Sequence, residues 1–370
     1  MEKIKLVQII GDSEMGGGPA HILGILKNVD KEIFDCYLIC PNGFLSREAE
    51  KVPSVTVVKL PFASKFDIKT ILGLKKELSR IQSLENPFAE MIVHSHGPRA
   101  GLFAVIATPT SVTKFYTEHR WDEDYHLANF INEFVQKQML KFVCGKVDQI
   151  LAVSSSVKNF LIKKLSVAEN KVIILSNGIE IEKNRGTKRK RPVDGTFVIG
   201  NIGTLNIQKG QKYLLEAMPS VLEKYPLLQL EIIGAGEEEK SLKLKVKNLN
   251  IEKSVLFLGK QKNVYKYLNN WDLFVLPSVA ETFGIVLLEA MQAGVPVVAS
   301  NVGGVSDIIK NRENGILVKS KNSKILAKAI IELLDEPNLT EKLKENAYLT
   351  LKKFEWSSVI KKLENIYKNA

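Results

Sequence analysis

Two carboxylates in the stretch ETFGIVLLE are placed where they could bind a polar ligand. Glu281 lies in a loop, and Glu289 follows seven residues later, about one turn inside a predicted apolar helix. An ionised carboxylate among apolar residues is costly unless it is paired or accepts hydrogen bonds. A ribose diol supplies two such donors. The backbone N–H groups of residues 282–285, between the acids, lie at a helix amino terminus, which favours anions such as a diphosphate.

A plainer interpretation of the same stretch stays open at this point. Glu281 would then be an exposed loop acid, and Glu289 would pair with a lysine of another domain.

A run of three glycines in the first half is a second candidate. Gly16, Gly17 and Gly18 separate the first predicted strand from a helix predicted to begin near Pro19. Glycines permit a tight turn and a close approach of the backbone to a phosphate or a sugar. Neither this run nor residues 200–203 has the G-x-G-x-x-G register, which argues against a dehydrogenase.

The sequence offers little for a metal ion. We find no Asp-x-Asp pair near a strand end and no His-rich cluster, and the histidines His94, His96 and His119 lie at predicted strand ends. Histidines in that position are commonly satisfied polar residues. No metal and no cofactor are therefore expected.

Short β-branched runs that alternate with longer amphipathic segments predict the elements that position these residues. The first half contains six predicted strands, at residues 5–10, 35–39, 56–59, 91–94, 114–117 and 149–153. The second half contains six more, at 196–202, 229–234, 255–258, 273–276, 297–299 and 315–318. Both halves are therefore predicted to be α/β domains with a doubly wound parallel sheet.

The composition of residues 182–195 indicates where the two predicted domains are divided. Residues 182–195 combine four consecutive basic residues with a proline and lack apolar periodicity, which predicts a solvated linker. The first domain spans 1–181 and the second 196–355, and a final helix over about 356–370 is expected to pack back on the first domain. Such sheets bind ligands beyond the carboxyl ends of their strands.

Bulk properties limit the class of protein. With 370 residues, 45% of them hydrophobic and 25% charged, the chain is long enough for two folded domains. Neither a membrane-spanning run nor a signal peptide is recognised, so a cytoplasmic protein is expected. The net charge of +11 indicates attraction to polyanions, but it is spread along the chain, so no nucleic acid is expected. Cys36, Cys40 and Cys144 are predicted to be reduced core thiols.

Several ordered motifs resemble family four of the retaining glycosyltransferases, which have the GT-B fold. The motifs are MGGG, SNGIE, NIGTLNIQKG, IIGAGEE, PSVAETFGIVLLEAMQAGVPVVAS, NVGGVSDII and NGILV. They occur in this order over nearly the whole chain. The resemblance implies two facing Rossmann-like domains with a deep cleft between them.

The resemblance also implies a role for each matching residue. Glu281 contacts donor-sugar hydroxyls, Glu289 binds the ribose, and Lys209 neutralises the leaving phosphates. His119 matches the family histidine near the donor sugar, whereas His94 and His96 match a structural H-x-H. The amides of three residues bind the diphosphate, and four more residues complete the donor site: Phe283, Gly284 and Ile285, with Gly203, Thr204, Gly234 and Gly236.

One position departs from the family. Thr204 stands where the family usually has an arginine, so one cation of the phosphate clamp is absent. Lys260 or Lys262 is a candidate substitute.

The implied reaction is metal-independent transfer, with retention of configuration, from a nucleotide diphosphate sugar, UDP above all. The acceptor is a glycan, a lipid-linked sugar or a small molecule. It is expected to bind on the first domain among Gly16 to Pro19, His96 to Arg99 and His119 to His126. Residues 130–147 predict either a helix that lies on an anionic membrane or an ordinary helix packed on the sheet. Closure of the two domains is expected to complete the site. The alternative functions are an epimerase, a phosphorylase, or a sugar-nucleotide-binding protein without transfer.

Overall fold

The computed structural model describes residues 2–62, 67–84, 86–122, 130–181 and 196–370. The chain divides into two compact units. Unit 1 comprises Met1–Gly178 and Trp356–Ala370, and unit 2 comprises Ile179–Glu355. The predicted linker at 182–195 lies outside the described residues.

Unit 1 is built on a parallel sheet. In the described residues its seven strands have the order β3-β2-β1-β4-β5-β6-β7. The strands are β1 (Ile4–Ile10), β2 (Phe34–Cys40), β3 (Val55–Lys59), β4 (Met91–His96), β5 (Thr113–Glu118), β6 (Gln149–Ala152) and β7 (Val172–Ile174). The helices are α1 (Gly17–Asn28), α2 (Phe44–Ala49), α3 (Ile68–Ser83), α4 (Pro98–Ala107), α5 (Phe130–Lys146), α6 (Ser155–Leu165) and, at the end of the chain, α14 (Trp356–Lys368).

Unit 2 repeats this order with six strands, β10-β9-β8-β11-β12-β13. The strands are β8 (Val198–Ile202), β9 (Gln229–Ile233), β10 (Val255–Gly259), β11 (Leu273–Leu276), β12 (Val297–Ser300) and β13 (Ile316–Val318). The helices are α7 (Gln211–Lys224), α8 (Glu239–Asn248), α9 (Tyr265–Leu268), α10 (Ile285–Gln292), α11 (Val305–Ile308), α12 (Ser323–Asp335) and α13 (Pro337–Leu351). In each unit the strand order reverses next to the first strand, and ligands of such sheets bind at that point.

The strands form because their runs are buried on both sides. β1 is almost wholly buried, and two separate core clusters lie in unit 1, one containing Leu6 and Ile22 and the other Val7 and Phe103. When helices cover both faces of a parallel sheet, the sequences of its strands are nearly continuous apolar runs. The twelve predicted strands therefore all occur, with ends shifted by a few residues.

Two predictions in unit 1 were wrong. β7 (Val172–Ile174) was missed, because a strand of three residues is too short to show a pattern. Helix α1 begins at Gly17 rather than near Pro19, so Gly17 and Gly18 belong to its first turn and Gly16 precedes it.

Helix α14 completes unit 1 although it follows unit 2 in the chain. Trp356 fills a hollow that two glycines leave open. A Cβ on Gly24 would lie 1.8 Å from the Trp356 ring, and one on Gly178 would lie 2.4 Å from it. Leu363 and Tyr367 of the same helix are fully buried in the cluster that contains β1. Backbone and ring thus approach closely enough to seat this helix on the sheet.

The three cysteines are buried and free, as predicted. Among the described residues, no helix is both long enough and apolar enough to cross a membrane.

Candidate active site

Two loops in unit 2 bring the first pair of predicted residues together. Strands β8 and β11 are neighbours in the sheet, so the loops that follow their carboxyl ends lie side by side. The loop after β8 carries Lys209, and the loop after β11 carries Glu281. Lys209 Nζ lies 2.5 Å from Glu281 Oε2.

Backbone contacts fix this pair. Asn206 Oδ1 accepts a hydrogen bond from the Lys209 N–H at 3.1 Å, which caps the short turn before Gly210. Gly210 has φ +63°, and a Cβ there would lie 2.2 Å from the Pro277 carbonyl oxygen. The side chain of Glu281 is only 7% exposed and that of Lys209 is 24% exposed. The interpretation of Glu281 as an exposed loop acid is therefore wrong.

The segment after Glu281 leads into a helix with uncommitted amides. Gly284 has φ +88° and turns the chain into α10, while Phe283 is buried against Phe354 with ring centroids 5.8 Å apart. The backbone N–H groups of Phe283, Gly284 and Ile285 have no hydrogen-bond acceptor among the described residues. Together with the positive end of the helix dipole, they form the kind of site that binds phosphate.

Glu289 lies one turn inside α10, where sequence reasoning placed it. Its carboxylate is partly buried, and it has no hydrogen-bond or ion-pair partner among the described residues. Burial raises the pKa of Glu289 to about 7. A carboxylate in this state gains from any ligand that donates hydrogen bonds to it.

The packing of the fold explains why glycine occurs in the loops that follow β8 and β9. Gly234 has φ +142°, and a Cβ there would lie 1.9 Å from the Gly203 carbonyl oxygen. A Cβ on Gly236 would lie 2.2 Å from the Leu205 carbonyl oxygen. These glycines let two strand-end loops pack backbone to backbone. Thr204, at the same place, is exposed.

The glycines of unit 1 behave differently. None of Gly16, Gly17 and Gly18 lies in the left-handed region, so the tight-turn argument for them does not hold. A Cβ on Gly16 or Gly17 would meet nothing within 4 Å, and one on Gly18 would touch only Ile10 and His119, at 3.6 and 3.8 Å. The packing of the fold therefore does not require glycine at these positions.

The histidines of unit 1 form a buried cluster, contrary to the expectation that the chain has no His-rich cluster. His96 Nδ1 lies 3.1 Å from His119 Nε2, and the rings of His94 and His96 lie 4.2 Å apart. His21, on α1, packs edge-on against His119 at 5.1 Å. His126 lies outside the described residues.

Burial keeps this cluster uncharged. It holds the pKa of His94, His96 and His119 well below the usual range, and repulsion between the histidines lowers it further. Burial lowers the pKa of His21 to about 4, although Asn177 opposes this shift. His21, His96 and His119 each place one ring nitrogen within 4.8 Å of the others, close enough to hold a metal ion.

His21 of this cluster and two residues that hydrogen-bond to it were missed from the sequence. Gln8 Oε1 lies 2.6 Å from His96 Nε2, and Tyr367 Oη lies 2.5 Å from His94 Nδ1. Gln8 is the only uncharged polar residue in the strand IKLVQII. A polar side chain in a buried run was a usable signal. Tyr367 had none, since it is separated from His94 by 273 residues.

Comparisons with known proteins agree with this geometry. The family model described as Glycosyltransferase Family 4 matches residues 15–183, and the one described as Glycosyl transferases group 1 matches residues 182–350. The capsular polysaccharide biosynthesis glycosyltransferase CapM of Staphylococcus aureus is 28% identical over 93% of this chain and 92% of its own. The UDP-Gal:alpha-D-GlcNAc-diphosphoundecaprenol alpha-1,3-galactosyltransferase of Escherichia coli is 26% identical over 90% of this chain and 89% of its own.

A solved structure shares the fold over the whole length. The Anabaena protein Alr3699/HepE, in complex with UDP-glucose, superimposes with a TM-score of 0.82, at 18% identity, over 99% of this chain and 100% of its own. The two family models, the relatives and this neighbour lead to one conclusion. The chain belongs to the family-four glycosyltransferases of the GT-B fold.

Proposed function

We propose that the chain transfers a sugar from a UDP-sugar to a lipid-linked glycan, without a metal ion and with retention of anomeric configuration. The observation that carries the proposal is the group of unsatisfied polar atoms on unit 2. Among the residues that the structure describes, three amides at the start of α10 have no acceptor and Glu289 has no donor, although both are partly enclosed. A nucleoside diphosphate supplies an anion for the first and a ribose diol for the second.

Lys209 and Glu281 would act together on the donor. An ammonium group has three N–H donors, so Lys209 can hold Glu281 and a phosphate oxygen at once. Glu281 then orients the hydroxyls of the sugar. As the bond between the anomeric carbon and the phosphate oxygen breaks, negative charge grows on the diphosphate, and Lys209 and the amides of residues 283–285 stabilise it.

The proton goes to the leaving group. The acceptor oxygen forms its bond to the anomeric carbon on the side from which the diphosphate departs, and its proton passes to a phosphate oxygen. This route balances without a further base and retains the configuration. It uses no side chain of the histidine cluster as a proton acceptor.

Lys260 supplies the second cation that Thr204 does not. The Gly259 carbonyl oxygen accepts a hydrogen bond from Gly234 N–H at 2.9 Å, and Gly234 lies against Gly203. Lys260 therefore leaves the sheet at the loop ends where an arginine at position 204 would stand. Its side chain is exposed and has no ion-pair partner among the described residues.

The acceptor is inferred from a relative and from the surface of α5. The relative from E. coli is named for an undecaprenol-linked acceptor. Helix α5 packs on unit 1 through Leu140 and Val143, yet Ile131 is 72%, Phe134 55% and Phe142 47% exposed. Exposed lysines lie on the same side of this helix, Lys141 and Lys146. An apolar and basic stripe of this kind suits peripheral binding to an anionic membrane.

One reaction tests the proposed function. Incubation with UDP-glucose, UDP-galactose or UDP-N-acetylglucosamine and a polyprenyl diphosphate-linked sugar should give a glycosylated lipid whose new linkage is α, as the donor's is. Chelator should not change the rate. Donor binding without transfer to any acceptor would instead support a sugar-nucleotide-binding protein. Loss of activity in chelator, restored by zinc, would assign a metal to the three histidines.

Vesicle sedimentation tests the membrane proposal. Replacing Phe134 and Phe142 by serine removes two exposed rings and should weaken binding to phosphatidylglycerol vesicles about tenfold or more. Leu349→Ser is the matched control, because Leu349 is 59% exposed on α13 of unit 2. Equal binding by all three proteins would contradict the proposal.

A further inference from the structure

Three histidine side chains from different elements of unit 1 converge near the ends of its central strands. His21 lies on α1, His96 is the last residue of β4, and His119 follows β5 directly. His96 Nδ1 lies 3.1 Å from His119 Nε2. The three residues each offer one ring nitrogen, and these nitrogens lie within 4.8 Å of one another. Because β1, β4 and β5 are neighbours in the sheet, strand order brings the three rings together.

His21 is the member of this cluster that the fold leaves unsatisfied. Its side chain is fully buried, and neither ring nitrogen has a hydrogen bond of ordinary length in the described part of the chain. Asn177 lies close enough to act on the His21 ring, yet the buried Oδ1 of Asn177 also lacks such a bond there. Buried polar atoms are normally hydrogen-bonded, because water cannot reach them to replace a missing partner. These atoms therefore point to a ligand for the His21 ring.

The contacts of His96 direct one of its nitrogens at the same place. Its Nε2 is taken up by Gln8 Oε1 at 2.6 Å, so Nδ1 is the nitrogen that faces His119. A histidine that binds a metal ion uses one ring nitrogen for the ion and gives the N–H of the other to an oxygen nearby. Gln8 supplies that oxygen to His96, and Asn177 can supply it to His21.

His94 differs from these three histidines. Its ring lies 4.2 Å from that of His96, but Tyr367 Oη occupies its Nδ1 and Thr117 Oγ1 occupies its Nε2. Both nitrogens therefore have partners within unit 1, so His94 is not a candidate ligand.

The spacing of the three nitrogens suits zinc. Tetrahedral zinc holds each nitrogen at about 2.0–2.1 Å, which places two ligand nitrogens about 3.3 Å apart. His96 and His119 are already close to that separation. The His21 ring, which no ordinary hydrogen bond fixes, would have to move its nitrogen by no more than about 1.5 Å. Imidazole nitrogen also favours zinc over magnesium or calcium.

We propose that His21, His96 and His119 bind a zinc ion within unit 1. A water molecule or another ligand fills the fourth position of the tetrahedron. The ion joins α1 to the ends of β4 and β5, so it stabilises unit 1. The proposal goes beyond the proposed function, in which the transfer step itself uses no metal ion.

Zinc binding to the whole chain tests this proposal. After treatment with a chelator and dialysis, the protein should bind one zinc ion per chain, with a Kd of about 1 μM or lower in competition with a chromophoric chelator. A zinc concentration of about a hundred times Kd should raise Tm by about 5 °C or more. X-ray absorption at the zinc edge should show three imidazole ligands and no sulfur. Absence of zinc binding, a sulfur ligand or a single imidazole would overturn the proposal.

Three variants locate the ion. His21→Leu removes a ligand to which the fold gives no ordinary hydrogen bond, so the variant should fold and bind zinc about a hundredfold or more weakly. Asn177→Ala removes only the neighbouring oxygen and should weaken binding about tenfold. His94→Gln is the matched control, because it removes a histidine of the same cluster that is not a ligand, and it should change the Kd less than about threefold. Equal zinc affinity in His21→Leu and the unchanged protein would contradict the site.

The transfer assay keeps this proposal separate from the proposed function. A protein that binds zinc through these histidines but transfers no sugar would refute the proposed function alone. A protein that transfers sugar but binds no zinc would refute the zinc site alone. X-ray absorption on the unchanged protein decides the ligands even if a variant does not fold.

Discussion

Unit 1 and unit 2 share one strand order, yet they place opposite kinds of polar groups at the ends of their central strands. In unit 2 the groups are acidic or basic: Lys209 pairs with Glu281, and Glu289 has no hydrogen-bond or ion-pair partner in the described part of the chain. In unit 1 the groups are neutral histidines that hydrogen-bond to one another and to Gln8 and Tyr367. Under the proposed function, the charged groups of unit 2 would bind the diphosphate, whereas the neutral histidines of unit 1 offer uncharged donors and acceptors.

A fall in pH should also change the stability of the two units in opposite directions. Buried histidines favour their neutral form, so protonation below their ordinary pKa destabilises unit 1. Glu289 has a raised pKa, so protonation below about 7 relieves unit 2 of a poorly solvated charge. A single fall in pH should therefore lower the stability of unit 1 and raise that of unit 2.

The largest expected effect is this pH response. Histidine has a pKa of 6.5 in the unfolded chain, and burial lowers the pKa of His21, His94 and His96 well below this value in the folded protein. Each therefore costs unit 1 about 1.4 kcal/mol per pH unit as the pH falls below 6.5. Glu118, whose pKa burial raises, offsets only part of this.

Hydrogen exchange corrected for its intrinsic pH dependence measures the response unit by unit. Between pH 7.5 and 5.5, amides of β1, β4 and α14 should lose protection relative to those of β8 and β11. Equal losses in both sheets would mean that the histidines do not set the stability of unit 1.

Removal of Lys209 should have the next largest effect. Lys209→Ala takes away the cation that meets growing charge on the diphosphate, so kcat/KM should fall about tenfold to a thousandfold in a transfer assay. Lys212→Ala is the control, because Lys212 is exposed on the next helix. Lys260→Ala should cost less, and Thr204→Arg in that background should restore part of the loss. An undiminished rate in Lys209→Ala would remove this residue from the site.

Glycine substitutions sharpen the comparison of the units. Gly234→Ala places a Cβ against the Gly203 carbonyl at a φ of +142°, so it should destabilise unit 2 by roughly 1–3 kcal/mol from strain alone. Gly17→Ala meets no atom within 4 Å, so thermal unfolding should be unchanged or slightly later.

Gly17→Ala should lower catalytic activity even though it leaves the stability of the protein unchanged. A methyl group at Gly17 projects into space that a ligand would use, and it should cost roughly 1–3 kcal/mol in transition-state binding. Full activity in a stable Gly17→Ala protein would show that no ligand approaches this glycine run.

An effect of similar size is expected at Glu289. Glu289→Gln loses charge-assisted hydrogen bonds to ribose worth roughly 1.5–3 kcal/mol, which calorimetry with UDP would measure. The same variant should melt later than the unchanged protein at pH 8, with the gap closing towards pH 5, since only the carboxylate pays for burial. Unaltered UDP affinity would contradict the ribose role, whatever the melting curves show.

Local patterns sufficed for the strands and for α10. β-branched runs gave twelve strands, and the turn before Ile285 placed Glu289 one turn inside a helix. Those features depend on neighbours in the sequence. They failed only where an element was too short, as in β7, or began with residues of low helix propensity, as at Gly17.

Contacts between distant residues were beyond such patterns. Lys209 and Glu281 are 72 residues apart, and they meet only because β8 and β11 are paired. The histidine cluster depends on β1, β4 and β5 lying side by side and on α14 returning to them. Sequence motifs named most of these residues, but which atoms satisfy one another follows from strand order.

The return of α14 has a consequence for synthesis on the ribosome. The contiguous unit 2 is complete once residue 355 has emerged, whereas unit 1 lacks Trp356, Leu363 and Tyr367 until the end of the chain. At about 5–20 residues per second, roughly 10–40 s separate the emergence of residue 178 from that of Tyr367. Throughout that interval the apolar surface around Gly24 and β1 lacks the cover of α14, so the half of the protein that is made first is the last to complete its core.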